Sequence, residues 1–261
     1  MDKAWAIFSH AVRMVFRSLN VLPRIAAPLI ILVVAGPYII SAMSGVPLET
    51  VLNQPAMMPS LDPDAMSDEQ REIMTALSGP NALVGIAQLL ATLWVAVAWH
   101  RYVLSGGDAK AADAPPGRVL AYLGWGVLIG LILALVLFIP IIFAAVVPAL
   151  GIPLVMVAIV AAVAASYRLS AVLPAAAIGK AEGLGAVWKA TEGTTLIMIV
   201  LALISTVAAF VIALILGAIF SIFPTVIQPV LFAIPNVLFT LVYASILTTI
   251  YGHYIEGRDF A

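Results

Sequence analysis

The side chains that could do chemistry at membrane depth are few: Gln88, Thr92, Ser205, Thr206, Asn236, Thr240 and Ser245 stand inside otherwise apolar runs. Among them Gln88, Asn236 and Thr240 form the candidate intramembrane polar site, because two amides and a hydroxyl can hold a neutral solute by hydrogen bonds. Interhelical bonding, worth about 0.6–2 kcal/mol each, is the plainer role for such groups. No Asp, Glu, Lys or Arg lies in the middle of any apolar run, whereas ion-coupled transporters and proton pumps keep ionisable groups there. His10, His100 and His253 are far apart and lack the spacing of a zinc or haem pair. Without cysteine there is no thiolate nucleophile, thiolate metal ligand or disulfide. A calcium-loop reading of DPDAMSDEQREIM fails, since Met66 and Ser67 fill its fifth and sixth positions, where an oxygen ligand and a glycine are needed. Nucleophile elbow, phosphate loop and paired carboxylates are also missing from the sequence. The expectation is therefore no catalytic residue, no metal and no cofactor.

A second group of residues points to surfaces. Between Ala164 and Thr195 the sequence carries SYRLSAVLP and then Lys180, Glu182, Trp188, Lys189, Thr191 and Glu192, flanked on both sides by hydrocarbon-like sequence. Basic and aromatic side chains at that position read as a membrane-surface elbow at headgroup level. Arg101, Arg168, Lys180, Trp188 and Lys189 are accordingly the candidate contacts to anionic lipid or to a partner protein. An enzyme acting on lipid would need Arg168 beside Glu182 or Glu192 in a cleft.

Positioning these residues is the task of membrane helices. Of the 261 residues 64% are hydrophobic and 10% charged, and the mean hydropathy is +1.15, against roughly 45–50% apolar and about 25% charged in soluble domains. The net charge of -1 argues against a nucleic-acid partner. With about 20 residues per crossing, the expected fold is all-α: a polytopic bundle of six spanning helices, at about 21–43, 82–99, 119–143, 148–166, 194–220 and 230–251. Residues 2–20 precede them as an amphipathic helix. Trp5, Phe8, Val12, Val15, Phe16 and Leu19 recur on one side and His10, Arg13, Arg17 and Asn20 on the other, which fits either a membrane surface or a face packed on the protein. A cleaved signal peptide is not expected, the basic segment being long and Ser41-Ala42-Met43 a poor cleavage site.

The connections follow from composition. Residues 44–80 form an acidic loop in which Ser67 and Gln70 have the spacing of a capping box opening a short helix. Residues 105–118 read as a flexible surface loop. The third and fourth runs should form a tight hairpin turning near Val147 to Gly151, and residues 167–193 make the elbow. Three small-residue stripes predict helix packing faces: Gly126 and Gly130; Ala158, Ala162 and Ser166; Ala209, Ala213 and Gly217. The second, fourth and sixth runs each end in an aromatic and basic cluster, WHRYVL, SYRLSAVL and YGHYIEGR, as expected of interfacial anchors. Eleven of the twelve Lys and Arg residues fall on the side of the N-terminus, leaving Arg71 alone opposite. The positive-inside rule then predicts cytoplasmic termini and a periplasmic acidic loop.

The elbow, with Tyr167, Arg168, Leu169, Pro174, Ala175, Ala176, Trp188 and Thr191, resembles the membrane domain that precedes the catalytic barrel in some bacterial glycerophosphodiester phosphodiesterases, and free-standing inner-membrane proteins that share that unit. The resemblance covers about the last two-thirds of the chain. The barrel, with its acid-base and metal residues, is missing from this sequence, so the resemblance implies a bacterial inner-membrane helical unit and not phosphodiester hydrolysis. The reading is a non-enzymatic inner-membrane protein, an accessory, scaffold or lipid-contacting component. Its partners would be the lipid bilayer, anionic lipid included, or another membrane protein complex. A small permease or channel for a neutral or lipophilic solute is the alternative.

Overall fold

A computed structural model of the chain describes residues 2–54, 66–180 and 182–259, so Asp62 and Asp64 of the rejected calcium loop lie outside the described residues. The ordered elements are helical throughout: α1 (Asp2–Arg17), α2 (Leu22–Ser44), α3 (Leu48–Leu52), α4 (Asp68–Leu104), α5 (Pro116–Val146), α6 (Pro148–Leu169), α7 (Val172–Ile178), α8 (Leu184–Ala190), α9 (Thr195–Phe220) and α10 (Gln228–Tyr254). Short 3-10 turns at Ala109–Ala111 and Thr225–Ile227 join the longer pieces. Among the described residues six helices are long and apolar enough to cross a membrane, with mean hydropathies from 1.9 to 3.2 over their best windows. In hydrocarbon every backbone N–H and C=O must be satisfied within the segment, which leaves such sequences little choice but helix.

Several boundaries differ from the expectation. The capping box forms as read: the Ser67 N–H donates to Gln70 Oε1 (2.9 Å) and the Gln70 N–H to Ser67 Oγ (3.2 Å). The helix it opens is not short, however. It runs without interruption through Pro80 into the second span, 37 residues in all. At 1.5 Å per residue that is about 55 Å, well beyond the ~30 Å hydrocarbon core, so its acidic first turns extend past the apolar layer. Residues 105–115 are also more ordered than their composition suggests. Gly106 and Gly107 take positive φ, Asp108 accepts from the Lys110 N–H, and Asp113 is held by Arg101 at 2.8 Å. The hairpin between α5 and α6 turns on Val147 alone, whose N–H donates to the Phe143 carbonyl (2.8 Å). Gly151 is what permits this: a β-carbon there would collide with the main chain of Ala144.

The chain divides into two compact units. The second comprises Ala26–Thr92 and Ile212–Phe239 and has its core in Ile40, Val46, Val51, Leu77 and Val84. Within it Gly36 lies against Val84 and Gln88, where a β-carbon would come within 3.0 and 3.1 Å of their side chains. The Tyr38 hydroxyl donates to the Val226 carbonyl (2.9 Å), and Phe220 meets Phe232 edge-on.

The first unit comprises Met1–Ile25, Leu93–Val211 and Thr240–Ala261 and holds nearly all the polar features of interest. Its largest fully buried side chains include Trp99, His100, Met198, Leu241, Ile246, Leu247 and Tyr251. Segment α7 is an internal element, not the surface element read from the elbow: Ala171, Val172, Ala175 and Ala177 are completely buried. Of the three small-residue stripes, Ala158 and Ala162 are buried as expected. Gly126, Gly130 and Gly217 have open space where a side chain would stand and do not mark packing faces in the structure.

Candidate functional site

Four arrangements in the first unit could carry function. The first is α1, where the helical period separates three faces. Ala4, Ile7, Ala11 and Val15, spaced 3, 4 and 4, are buried against the unit. Trp5, Phe8, Val12 and Phe16, continued past the helix by Leu19, form a second apolar stripe, and Trp5 (59%), Phe16 (58%) and Leu19 (47%) stay exposed. Lys3, Arg13 and Arg17 are exposed on the remaining side. The helix therefore packs on the protein and still presents an aromatic edge flanked by cations. Ala4 and Ala11 on the packed stripe let the helix sit close, while the aromatic residues point away.

The second is the elbow. Arg168 is 7% exposed, its guanidinium stacked 3.5 Å from the centre of the Trp188 ring. Its Nε donates to Thr191 Oγ1 (3.1 Å), Nη2 to the Trp188 carbonyl (2.8 Å) and Nη1 to Thr195 Oγ1 (3.4 Å). A desolvated cation-π contact is worth about 2 kcal/mol and hydrogen bonds to a charged group about 1.5–3 kcal/mol, so this fork clamps α6 to α8 and to the start of α9. Arg168 thus braces helices, and among the described residues it makes no ion pair with Glu182 or Glu192. Trp188 keeps 42% exposure and Lys189 is exposed. These two alone of the elbow candidates face outward without an ion pair among the described residues.

The third is a buried polar chain. His100 is completely buried, with Nδ1 2.7 Å from Thr248 Oγ1 and Nε2 3.2 Å from the Tyr122 hydroxyl. Thr248 gives its own proton to the Ala244 carbonyl (2.8 Å), so it can only accept from the imidazole. With Thr248 accepting, the imidazole proton is assigned to Nδ1, and Nε2 accepts from Tyr122. Beside it the Trp99 indole N–H donates to Ser245 Oγ (2.8 Å). Trp99 and His100 of WHRYVL therefore turn inward, joining α4 to α5 and α10, while Arg101 to Leu104 stay half-buried. YGHYIEGR behaves likewise, with Tyr251 fully buried.

The fourth is an ion-pair cluster. Glu256, its side chain 12% exposed, lies between Lys180 Nζ (2.6 Å) and Arg258 Nη2 (2.7 Å). Arg258 also donates to the Leu104 carbonyl (3.3 Å), so α4, the elbow and the tail after α10 meet here. The Glu256 bond holds the Lys180 ammonium above its usual range. The Arg118 guanidinium rests on Gly179, the left-handed residue that ends α7. Adjacent is a cavity of about 110 Å³ lined by His10 and Met14 of α1, by the end of α4, and by Thr248, Thr249, His253, Arg258 and Asp259.

The three intramembrane candidates sit on α4 (Gln88) and α10 (Asn236 and Thr240). The Gln88 amide donates to the Leu32 carbonyl (3.1 Å) and closes a contact between α2 and α4. Asn236 is exposed on α10 and Thr240 half-buried. Neither the 110 Å³ cavity nor one of about 170 Å³ beside Gln54, Gln70, Ser78 and Asn81 is lined by any of the three. Among the described residues no cluster of three metal-ligating side chains occurs. Comparison of the chain with family models, with curated proteins and with solved structures finds no match in any of the three.

Proposed function

We propose that this protein is a non-enzymatic, lipid-contacting component of the bacterial inner membrane, serving as an accessory or scaffold unit. The carrying observation is α1, which buries one apolar stripe in the protein and keeps Trp5, Phe16 and Leu19 exposed beside Lys3, Arg13 and Arg17. Aromatic side chains sit readily at headgroup depth, and each nearby cation adds about 1 kcal/mol at an anionic leaflet. The inner membrane and the cytoplasmic placement of both termini rest on the resemblance of the elbow and on the one-sided distribution of Lys and Arg. The accessory role is supported by the commitments of the polar groups: Arg168, His100 and Gln88 are all used in joining helices. A permease for a neutral or lipophilic solute finds less support, because Gln88 and Asn236 line neither cavity.

The test is purification of the tagged, full-length protein from its own membranes in nanodiscs, with mass spectrometry of retained proteins and lipids. Enrichment of particular lipids or of a stoichiometric membrane partner is the expected result. Recovery with bulk lipid composition and no partner, together with solute flux in reconstituted vesicles, would overturn the reading in favour of transport.

A further inference from the structure

We infer that the cavity under α1 is a binding site for a phosphate group bearing a primary amine, the zwitterion found in an ethanolamine phospholipid headgroup and in soluble phosphoethanolamine. This rests on the lipid-contacting reading above. The cavity, about 110 Å³, has both signs of charge on its wall: the Arg258 guanidinium on one hand and the Asp259 carboxylate on the other. Two ring systems, His10 from α1 and His253 from α10, complete the polar lining.

The hydrogen-bond directions sharpen the chemistry. Arg258 uses Nη2 for Glu256 and the Leu104 carbonyl; a guanidinium has five N–H donors in a fork, and the remainder suit phosphate oxygens. The Thr249 hydroxyl donates its proton to the Ser245 carbonyl (2.8 Å), so towards the cavity it offers only lone pairs. With Asp259 it forms an acceptor side that an ammonium group satisfies and a phosphate does not. The charged groups of the lining are Arg258 and Asp259, one cation against one carboxylate. A lining of both signs favours a zwitterion over a simple anion, which would face the Asp259 carboxylate with a like charge. Met14, Val103 and Leu104 supply the apolar part of the wall, suited to the glycerol and ester portion of a lipid. His10 belongs to the helix whose opposite edge is proposed to lie in the lipid surface, so the site stands beside that surface.

The test uses the full-length protein, delipidated in detergent and titrated in native mass spectrometry with phosphatidylethanolamine or phosphatidylglycerol, with soluble phosphoethanolamine and glycerol phosphate as competitors. One phosphatidylethanolamine should bind about tenfold or more tightly than phosphatidylglycerol, and Arg258→Gln should weaken it by about tenfold, as removal of a charge-assisted bond implies. His10→Ala, on the α1 wall of the cavity, should weaken phosphatidylethanolamine binding by a comparable factor, which keeps the test decisive if Arg258→Gln fails to fold. Displacement of the lipid by phosphoethanolamine at equal concentration would assign the free compound as the ligand, and lack of displacement the lipid; both keep the amine-phosphate site. Equal binding of the two lipids, or unchanged binding in both variants, overturns it. A lipid-exposure probe at position 5 in the same preparations separates the two failures. If position 5 stays in lipid while selectivity is lost, only the cavity assignment falls. If position 5 is in water, the lipid-contacting reading falls with it.

Discussion

Arg168 shows what sequence can and cannot reveal about a single side chain. Its neighbourhood in the elbow, with Trp188 and Thr191, was visible as a cluster of polar and aromatic residues between two spans, but a cluster of that kind suits a headgroup layer as well as a helix joint. Only the direction of the side chain decides, and in the structure it points into the unit, with three partners and a ring face. Trp99, His100 and Tyr251 follow the same pattern, since amphipathic side chains at helix ends have the same composition whether they face lipid or each other. The capping pair Ser67 and Gln70 was legible because both partners are local in sequence. If Arg168 is a brace, Arg168→Ala should cost about 2–4 kcal/mol of stability, measured by chemical unfolding in detergent. Arg168→Lys should recover less than half of it, because an ammonium is a point donor that cannot reproduce a planar fork. A lysine variant as stable as the parent would place the side chain among headgroups instead.

At the scale of elements, the spanning helices were readable because hydropathy over about 20 residues is a strong and local signal. Their ends were not, because Pro80 and the acidic run at 68–72 argue for a break that the structure does not make; a helix that leaves the apolar layer can carry charge without interruption. Small residues were the least reliable guide. The pattern of Gly126 and Gly130 equals that of Ala158 and Ala162, yet the glycines have open space beside them and the alanines are buried. Gly151, part of no stripe, is the one glycine in these two helices on which another main chain rests. Gly151→Ala should therefore open the turn between α5 and α6 and cost about 1–3 kcal/mol. Gly126→Ala and Gly130→Ala should stay within about 0.5 kcal/mol of the parent. The comparison is made by thermal unfolding of the three variants in one detergent, and an equal loss at Gly126 would restore the stripe as a contact face.

For the whole molecule, the class was legible from composition, while the division of labour inside it was not. The polar clusters of WHRYVL, SYRLSAVL and YGHYIEGR are far apart in the chain, and all three fall in the first unit, where they bond to elements that no local pattern links to them. The proposed topology is tested with single cysteines at Ser60, which lies outside the described residues, and Ala109, in a chain that has none of its own. An impermeant reagent should label them from opposite sides of the membrane, and same-side labelling would contradict the proposed orientation. Whether α1 rests on the protein by one stripe and on lipid by the other is decided by nitroxide labels at cysteines replacing Ala4, Trp5, Ala11, Arg13 and Phe16 in nanodiscs. Positions 5 and 16 should collide with oxygen dissolved in lipid and position 13 with an aqueous reagent, while positions 4 and 11 should be shielded from both. Collision of positions 5 and 16 with the aqueous reagent as freely as position 13 would contradict the lipid contact of α1.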